Sequence, residues 1–210
     1  MIGRSFIAGL FGLLTTLPAV AAPVTFTFEG LLSFVSPALS SAFNIGDSFA
    51  GSFTFENVTA DIEPTSPTIG DYAPDISFSM SIGTRSFSSP SSTGRILILN
   101  ASQDVYSANG LTSGNVVSGF APNGWEFVLI DFDGTLLNSD VLPLTPPPLS
   151  LAEISDLELF FVDTNGNSAS IVGNLTSFAL PTAPVPEPGT YALILAGLGI
   201  VSFVASRRKA

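Results

Sequence analysis

Two carboxylates stand where chemistry is easiest to place. Asp131 and Asp133 close the apolar run of FVLIDFDGTLLNSD (Phe127–Asp140) and are followed by Gly134 and Thr135. Carboxylates two residues apart at the mouth of a strand can hold a divalent cation. With a cation to take up developing charge, such a pair can also serve covalent catalysis. Asp140 is near enough in the chain to join Asp131 and Asp133 around such an ion. The same letters have a plainer reading, in which a buried strand ends in an Asp133-Gly134 turn.

The order Asp-x-Asp-Gly-Thr resembles the first motif of the haloacid-dehalogenase superfamily. That resemblance implies Asp131 as nucleophile and Asp133 as general acid/base, with a downstream cation and a later acidic pair to hold Mg²⁺. The rest of the chain lacks these parts. No basic residue lies between Asp133 and Arg207, and the sole lysine is Lys209, so nothing clamps a phosphoryl group. The family's motif also ends the first strand of a doubly wound sheet. Here roughly fifty residues follow before the C-terminal tail, broken by Pro143, Pro146, Pro147 and Pro148, too few for alternating helices and strands. The motif is read as strand and turn, and no catalytic residue is assigned.

Other oxygen-rich stretches point the same way. Asp163-x-Asn165-Gly166-Asn167 is spaced like the start of a calcium loop but has no Gly at the sixth position and no Glu at the twelfth. A hairpin turn accounts for it. Trp125, Tyr72 and Tyr106 are the aromatics that could stack on sugars if exposed, and core or edge positions are the competing fate. The chain has no Cys and no His, which removes thiol nucleophiles, disulfides, Cys/His zinc sites and imidazole triads. No cofactor is expected, calcium being the single candidate.

Charge is concentrated at the ends. Arg4 opens the chain and Arg207, Arg208 and Lys209 close it, leaving Arg85 and Arg95 in the body against sixteen carboxylates, Glu187 of the tail not counted, a balance of −14. Such a body repels nucleic acid and anionic lipid.

Both ends read as addresses. MIGRSFIAGLFGLLTTLPAVAAP has one cation, an apolar run from Phe6 to Leu17, a Pro18 break and small residues, the layout of a secretory signal peptide. Ala19 and Ala21 fit the −3 and −1 positions, with the cut before Ala22. At the other end VPEP is followed by an almost uncharged stretch, Gly189 to Ser206, and then Arg207-Arg208-Lys209. At helical rise these eighteen residues cover about 27 Å, enough to cross a bilayer core. The basic triplet holds the cytoplasmic side as a membrane stop.

This order over residues 185–210 resembles the PEP-CTERM sorting tail. The resemblance implies that Val185, Pro186, Glu187 and Pro188 are read by an exosortase, a membrane protease/transpeptidase of exopolysaccharide-making Gram-negative bacteria. Gly189 stands where many members have Ser or Thr.

Between the addresses the pattern has a period of two. Val24, Phe26 and Phe28 share a face, as do Phe49, Phe53 and Phe55, and Ile76, Phe78, Met80 and Ile82. Runs at 94–101, 124–132, 156–164 and 167–180 continue it. LSLAEISDL (149–157) is the single helical candidate, with Ser150 as N-cap and Glu153 completing a capping box.

The expectation is an all-β protein. An antiparallel β-sandwich, jelly-roll-like, of eight or nine strands is flanked by an N-terminal signal helix and a C-terminal transmembrane helix. The divisions are 1–21 signal peptide, 22–180 β-sandwich, 181–188 Pro-rich linker with the sorting motif, and 189–210 membrane helix with basic tail. The expected function is that of a non-catalytic structural or adhesive protein of the cell surface or exopolysaccharide matrix of a biofilm. It is exported across the inner membrane, anchored transiently by its C-terminal helix, and processed by signal peptidase and exosortase. Exopolysaccharide is an expected partner and nucleic acid is not. The alternative is a lectin-like carbohydrate-binding module, calcium-dependent in one form.

Overall fold

The computed structural model describes residues 22–181, and the segments expected as signal, sorting motif and membrane helix, with the linker beyond residue 181, fall outside them. Within that range the protein is all-β. The strands are β1 (Pro23–Val35), β2 (Ser48–Glu56), β3 (Ile69–Tyr72), β4 (Asp75–Ile82), β5 (Arg85–Thr93), β6 (Arg95–Asn100), β7 (Asp104–Leu111), β8 (Ser113–Gly114), β9 (Ala121–Asp131), β10 (Ile154–Val162) and β11 (Ser168–Ala179).

The expected two-sheet sandwich is corrected to one sheet. All eleven strands pair antiparallel in the order β3-β6-β7-β9-β10-β11-β1-β2-β4-β5-β8. β11 is the reason. It hydrogen-bonds to β10 on one side and to β1 on the other, so two five-stranded halves merge where a sandwich would keep them apart. The sheet then curls until its halves face each other. Trp125 of β9 stacks on Phe78 of β4 at 4.4 Å although four strands separate them in the order. Phe28 of β1 meets Phe127 of β9 at 6.0 Å.

The segment from Arg85 to Asn100 completes the curl. Its first part, β5, pairs with β4 near one edge, and its second part, β6, pairs with β7 near the other. Gly94 sits at the join with its N–H bonded to the Pro74 carbonyl at 2.9 Å. A Cβ there would meet the Asn109 carbonyl at 2.7 Å, so the crossing needs glycine. The two remaining edges, β3 and β8, have four and two residues, and short edges offer little template for another chain.

The alternation read from sequence places the core. Phe26, Phe28, Phe49, Phe53, Phe55, Ile76, Phe78, Met80 and Ile82 are all buried on the concave face. On the outer face hydroxyls run in register across five strands, Thr27, Ser52, Ser79, Ser88 and Ser113. LSLAEISDL is corrected from capped helix to a single 3-10 turn, Leu149–Leu151, with Pro148 before it and no side-chain cap. Proline leaves that turn without the hydroxyl a capping box uses, and Ile154 already belongs to β10.

Two glycines within strands are explained by one ring. Phe49 lies over Gly30, its cross-strand partner, and over Gly173, and a Cβ at either would overlap the ring. Gly173→Val is expected to cost about 1–3 kcal/mol by overpacking, read as a lower denaturant midpoint with unchanged slope.

Candidate functional site

The Asp131 motif folds as a saturated turn. β9 delivers Asp131 to the end of the sheet opposite Asp104 of β7, and both are buried. One Asp131 oxygen accepts the Asp133 N–H at 2.8 Å. The other accepts the Thr135 N–H at 2.6 Å, the Thr135 hydroxyl at 2.9 Å and the Leu136 N–H at 2.7 Å. Asp104 accepts the N–H groups of Ala101 and Leu137 at 3.2 and 2.8 Å. Gly134 has φ +66°, and a Cβ there would meet the Ala101 carbonyl at 2.6 Å.

Burial works against the Asp131 charge. The N–H groups of Thr135, Asp133 and Leu136 and the Thr135 hydroxyl outweigh it and hold the carboxyl below its ordinary value. A carboxylate so engaged ties the end of β9 to the loop that follows. Turning it outward as a nucleophile would strand those donors, the buried Leu136 N–H among them.

Carboxylate oxygens of Asp131, Asp133 and Glu153 lie within 4.8 Å of one another. Glu153 takes the place expected for Asp140, and its oxygen accepts the Phe132 N–H at 3.0 Å. Asp140 turns instead toward Tyr72, whose hydroxyl donates to its backbone carbonyl at 3.0 Å. A cation here would compete with the hydrogen bonds Asp131 already makes.

Among the described residues no cation supports phosphoryl chemistry at this turn. Arg85 lies over the Phe43 ring at 5.6 Å. Arg95 donates twice to Asp71, Nε to one oxygen and Nη2 to the other, each at 2.8 Å. That pairing holds Asp71 below the usual carboxylate range against partial burial and raises Arg95.

The Asp163 stretch is the hairpin turn between β10 and β11. Its carboxylate accepts from the Asn165 and Asn167 N–H groups at 2.8 Å each and from the Asn167 amide at 2.7 Å. Gly166 has φ +82°. The Asn167 side chain leads the set that lowers this carboxyl, against desolvation.

The aromatics weighed for sugar stacking are in the core. Trp125, Tyr72 and Tyr106 are 1%, 6% and 0% exposed, so sugar stacking on Trp125 is corrected. Pattern explains it, since Trp125 shares the inward face of β9 with Phe127 and Leu129.

What sequence reading missed is a groove of about 470 Å³ on the convex side of β6, β7, β9 and β10, lined in part by Arg95, Asn109, Glu126 and Phe160 over glycine backbone. Its signal was three glycines, Gly94, Gly110 and Gly124, inside or beside apolar strands.

The body offers both its ends at one place. Thr27 near the start of β1 pairs with Ala179 at the end of β11, so the entering and leaving chains run from neighbouring strand ends. The assigned Ala19 and Ala21, Val185 to Pro188, and Arg207, Arg208 and Lys209 lie outside the described residues. No helix among the described residues is long and apolar enough to cross a membrane.

Comparison with known proteins finds no matching curated protein and no matching solved structure. One family model matches, that of the PEP-CTERM protein-sorting motif, over residues 184–209. The match covers the Val-Pro-Glu-Pro, apolar and basic segments, and with it the tail is identified: the chain carries a PEP-CTERM sorting motif, the signal of an exosortase-targeted secreted protein.

Proposed function

We propose that this is a non-catalytic structural or adhesive protein of the cell surface or extracellular polymer matrix. Its tail is a substrate. Val185, Pro186, Glu187 and Pro188 are what the exosortase reads, while Gly189–Ser206 holds them at the membrane and Arg207, Arg208 and Lys209 stop transfer. The N-terminal segment is removed before Ala22 by signal peptidase, and the host is a Gram-negative exopolysaccharide producer.

The match at residues 184–209 carries this reading. The body supports it in two ways. Its paired carboxylates serve backbone N–H groups, which favours a scaffold over a reaction centre. The end of β11 at Ala179 pairs with Thr27, four residues past the start of β1 at Pro23, so a body tethered at either terminus hangs from the same end of these two strands.

Intact mass tests it, measured on protein from medium and membranes of hosts with and without the exosortase. The expected species lacks residues 1–21 and ends near Pro186–Pro188 when the exosortase is present, and keeps residues 189–210 when it is absent. Changing Glu187 to Ala should preserve the tail in both hosts. Tail retention in both hosts by the unaltered chain would make this a permanently anchored protein and end the proposal.

A further inference from the structure

We propose that the convex groove over β6, β7, β9 and β10 binds one unit of a neutral polysaccharide, without calcium. Two rows of side chains make the case. Leu111, Gly124 and Phe160 stand in register across β7, β9 and β10. Gly124 adds no side chain between the other two, leaving a dip with an aliphatic wall on one side and an aromatic ring on the other. A Cβ at Gly124 would stand 3.7 Å from the Phe160 ring and 3.3 Å from the Gly110 carbonyl, so glycine keeps the dip open.

Two residues along the strands runs a polar row, Arg95, Asn109 and Glu126, also in register. Adjacent strands are about 4.8 Å apart and two residues span about 6.8 Å. The two rows therefore frame roughly the footprint of a pyranose, whose ring presents an apolar C–H face and a hydroxyl edge. Apolar contact meets the first, and alternating donors and acceptors meet the second.

The polar row is held in place beforehand. Asp71 grips Arg95 through two of its five N–H groups, leaving the guanidinium oriented with donors remaining. Ser107 donates to one Glu126 oxygen at 3.4 Å, which leaves the other for a ligand hydroxyl. Beneath the floor the buried Trp125 Nε1 has no hydrogen-bond partner, and it lies 3.2 Å from where a Cβ on Gly110 would stand.

Charge selects the class of sugar. Asp71 offsets Arg95, Glu126 faces Glu158 directly across the β9–β10 ladder, and the body carries −14. Uronate, sulfate and phosphate groups are repelled from such a site, whereas a neutral hexose pays no such penalty. The carboxylates of the Asp131 turn lie at the far end of β9 and take no part.

Affinity electrophoresis of the full chain in detergent tests this, in gels containing mannan, β-glucan, galactan or alginate. At least one neutral polymer is expected to retard the protein. Retardation should weaken about tenfold in Phe160→Ala, from loss of the aromatic contact, and several-fold in Glu126→Gln. It should survive chelator and raised salt, because no charge pair forms with the ligand. Unchanged thermal midpoints in both variants show that the fold is intact. If a variant unfolds, Gly124→Val, which fills the dip and removes no partner, serves in its place.

Any of four outcomes overturns the proposal. They are no retardation by a neutral polymer, retardation by alginate alone, binding lost with chelator, or full binding by Phe160→Ala. Tail processing is read by mass and glycan binding by mobility, so failure of one leaves the other standing.

Discussion

Replacing Trp125 with alanine is expected to lower stability by about 3–5 kcal/mol, the range for removing a large buried aromatic. For a domain of this size that is a fall in Tm of roughly 6–20 °C. The indole is 1% exposed, stacks on Phe78 with an interplanar angle of 11°, and packs on Phe53 at 5.6 Å. Those partners belong to β4 and β2, in the half of the sheet that faces β9. Loss of the ring therefore loosens the contact between the halves as well as opening a cavity.

Trp125→Phe supplies the control. It keeps an aromatic against Phe78 and removes an indole N–H that has no partner, so its loss should be the smaller of the two, because an unsatisfied buried donor is itself unfavourable. Chemical denaturation of both variants gives the comparison. A loss below about 1 kcal/mol for the alanine variant would place the ring outside the packed core.

Asp131→Asn is the second large effect, and its size depends on pH. An amide presents one accepting oxygen where the carboxylate presents two. Either the Asp133 N–H or the set from Thr135 and Leu136 then loses its acceptor. At pH 7 the Tm should fall by roughly 5 °C or more.

The sign follows from the lowered pKa. Asp131 titrates below its unfolded value, so its stabilisation is full above that value and is lost as pH falls through the folded one. The difference between parent and variant should therefore narrow as pH drops below about 4, the ordinary carboxylate range. A difference constant down to pH 2 would contradict the hydrogen-bond account. Hydrolysis of a generic phosphoester with Mg²⁺ should not exceed blank in either protein. Activity in the parent that vanishes in Asp131→Asn would restore the enzymatic reading.

The inward residues were legible because a strand's period of two is a local property. Phe26, Phe28, Phe53, Phe55 and the Ile76–Ile82 series needed no knowledge of partners. The turns at Gly134 and Gly166 were equally local. β5 and β7 were harder to see, since RSFSSPSST and DVYSANGL carry few apolar residues on their inward faces.

The single sheet could not be read at all. A sandwich and a merged sheet demand the same alternation in every strand, and the distinction rests on β11 pairing with both β10 and β1. The groove was hidden for a related reason. Arg95, Asn109, Glu126 and Phe160 come from four strands whose register no local pattern specifies, and its three glycines look like turn residues along the chain.

The placement of β11 also sets a schedule. Thr27 and Ala179, bonded at 3.1 Å, are 152 residues apart, and the strand that joins the halves is the last to be made. Closing so long a loop is entropically costly, and folds rich in such contacts form slowly. With the export that the sorting motif implies, the first strand reaches the far side long before its partner. The chain remains translocation-competent by topology, and the keystone arrives immediately ahead of the sorting tail. The signal that addresses the protein to the exosortase thus lies only a few residues beyond the strand that first lets the body close.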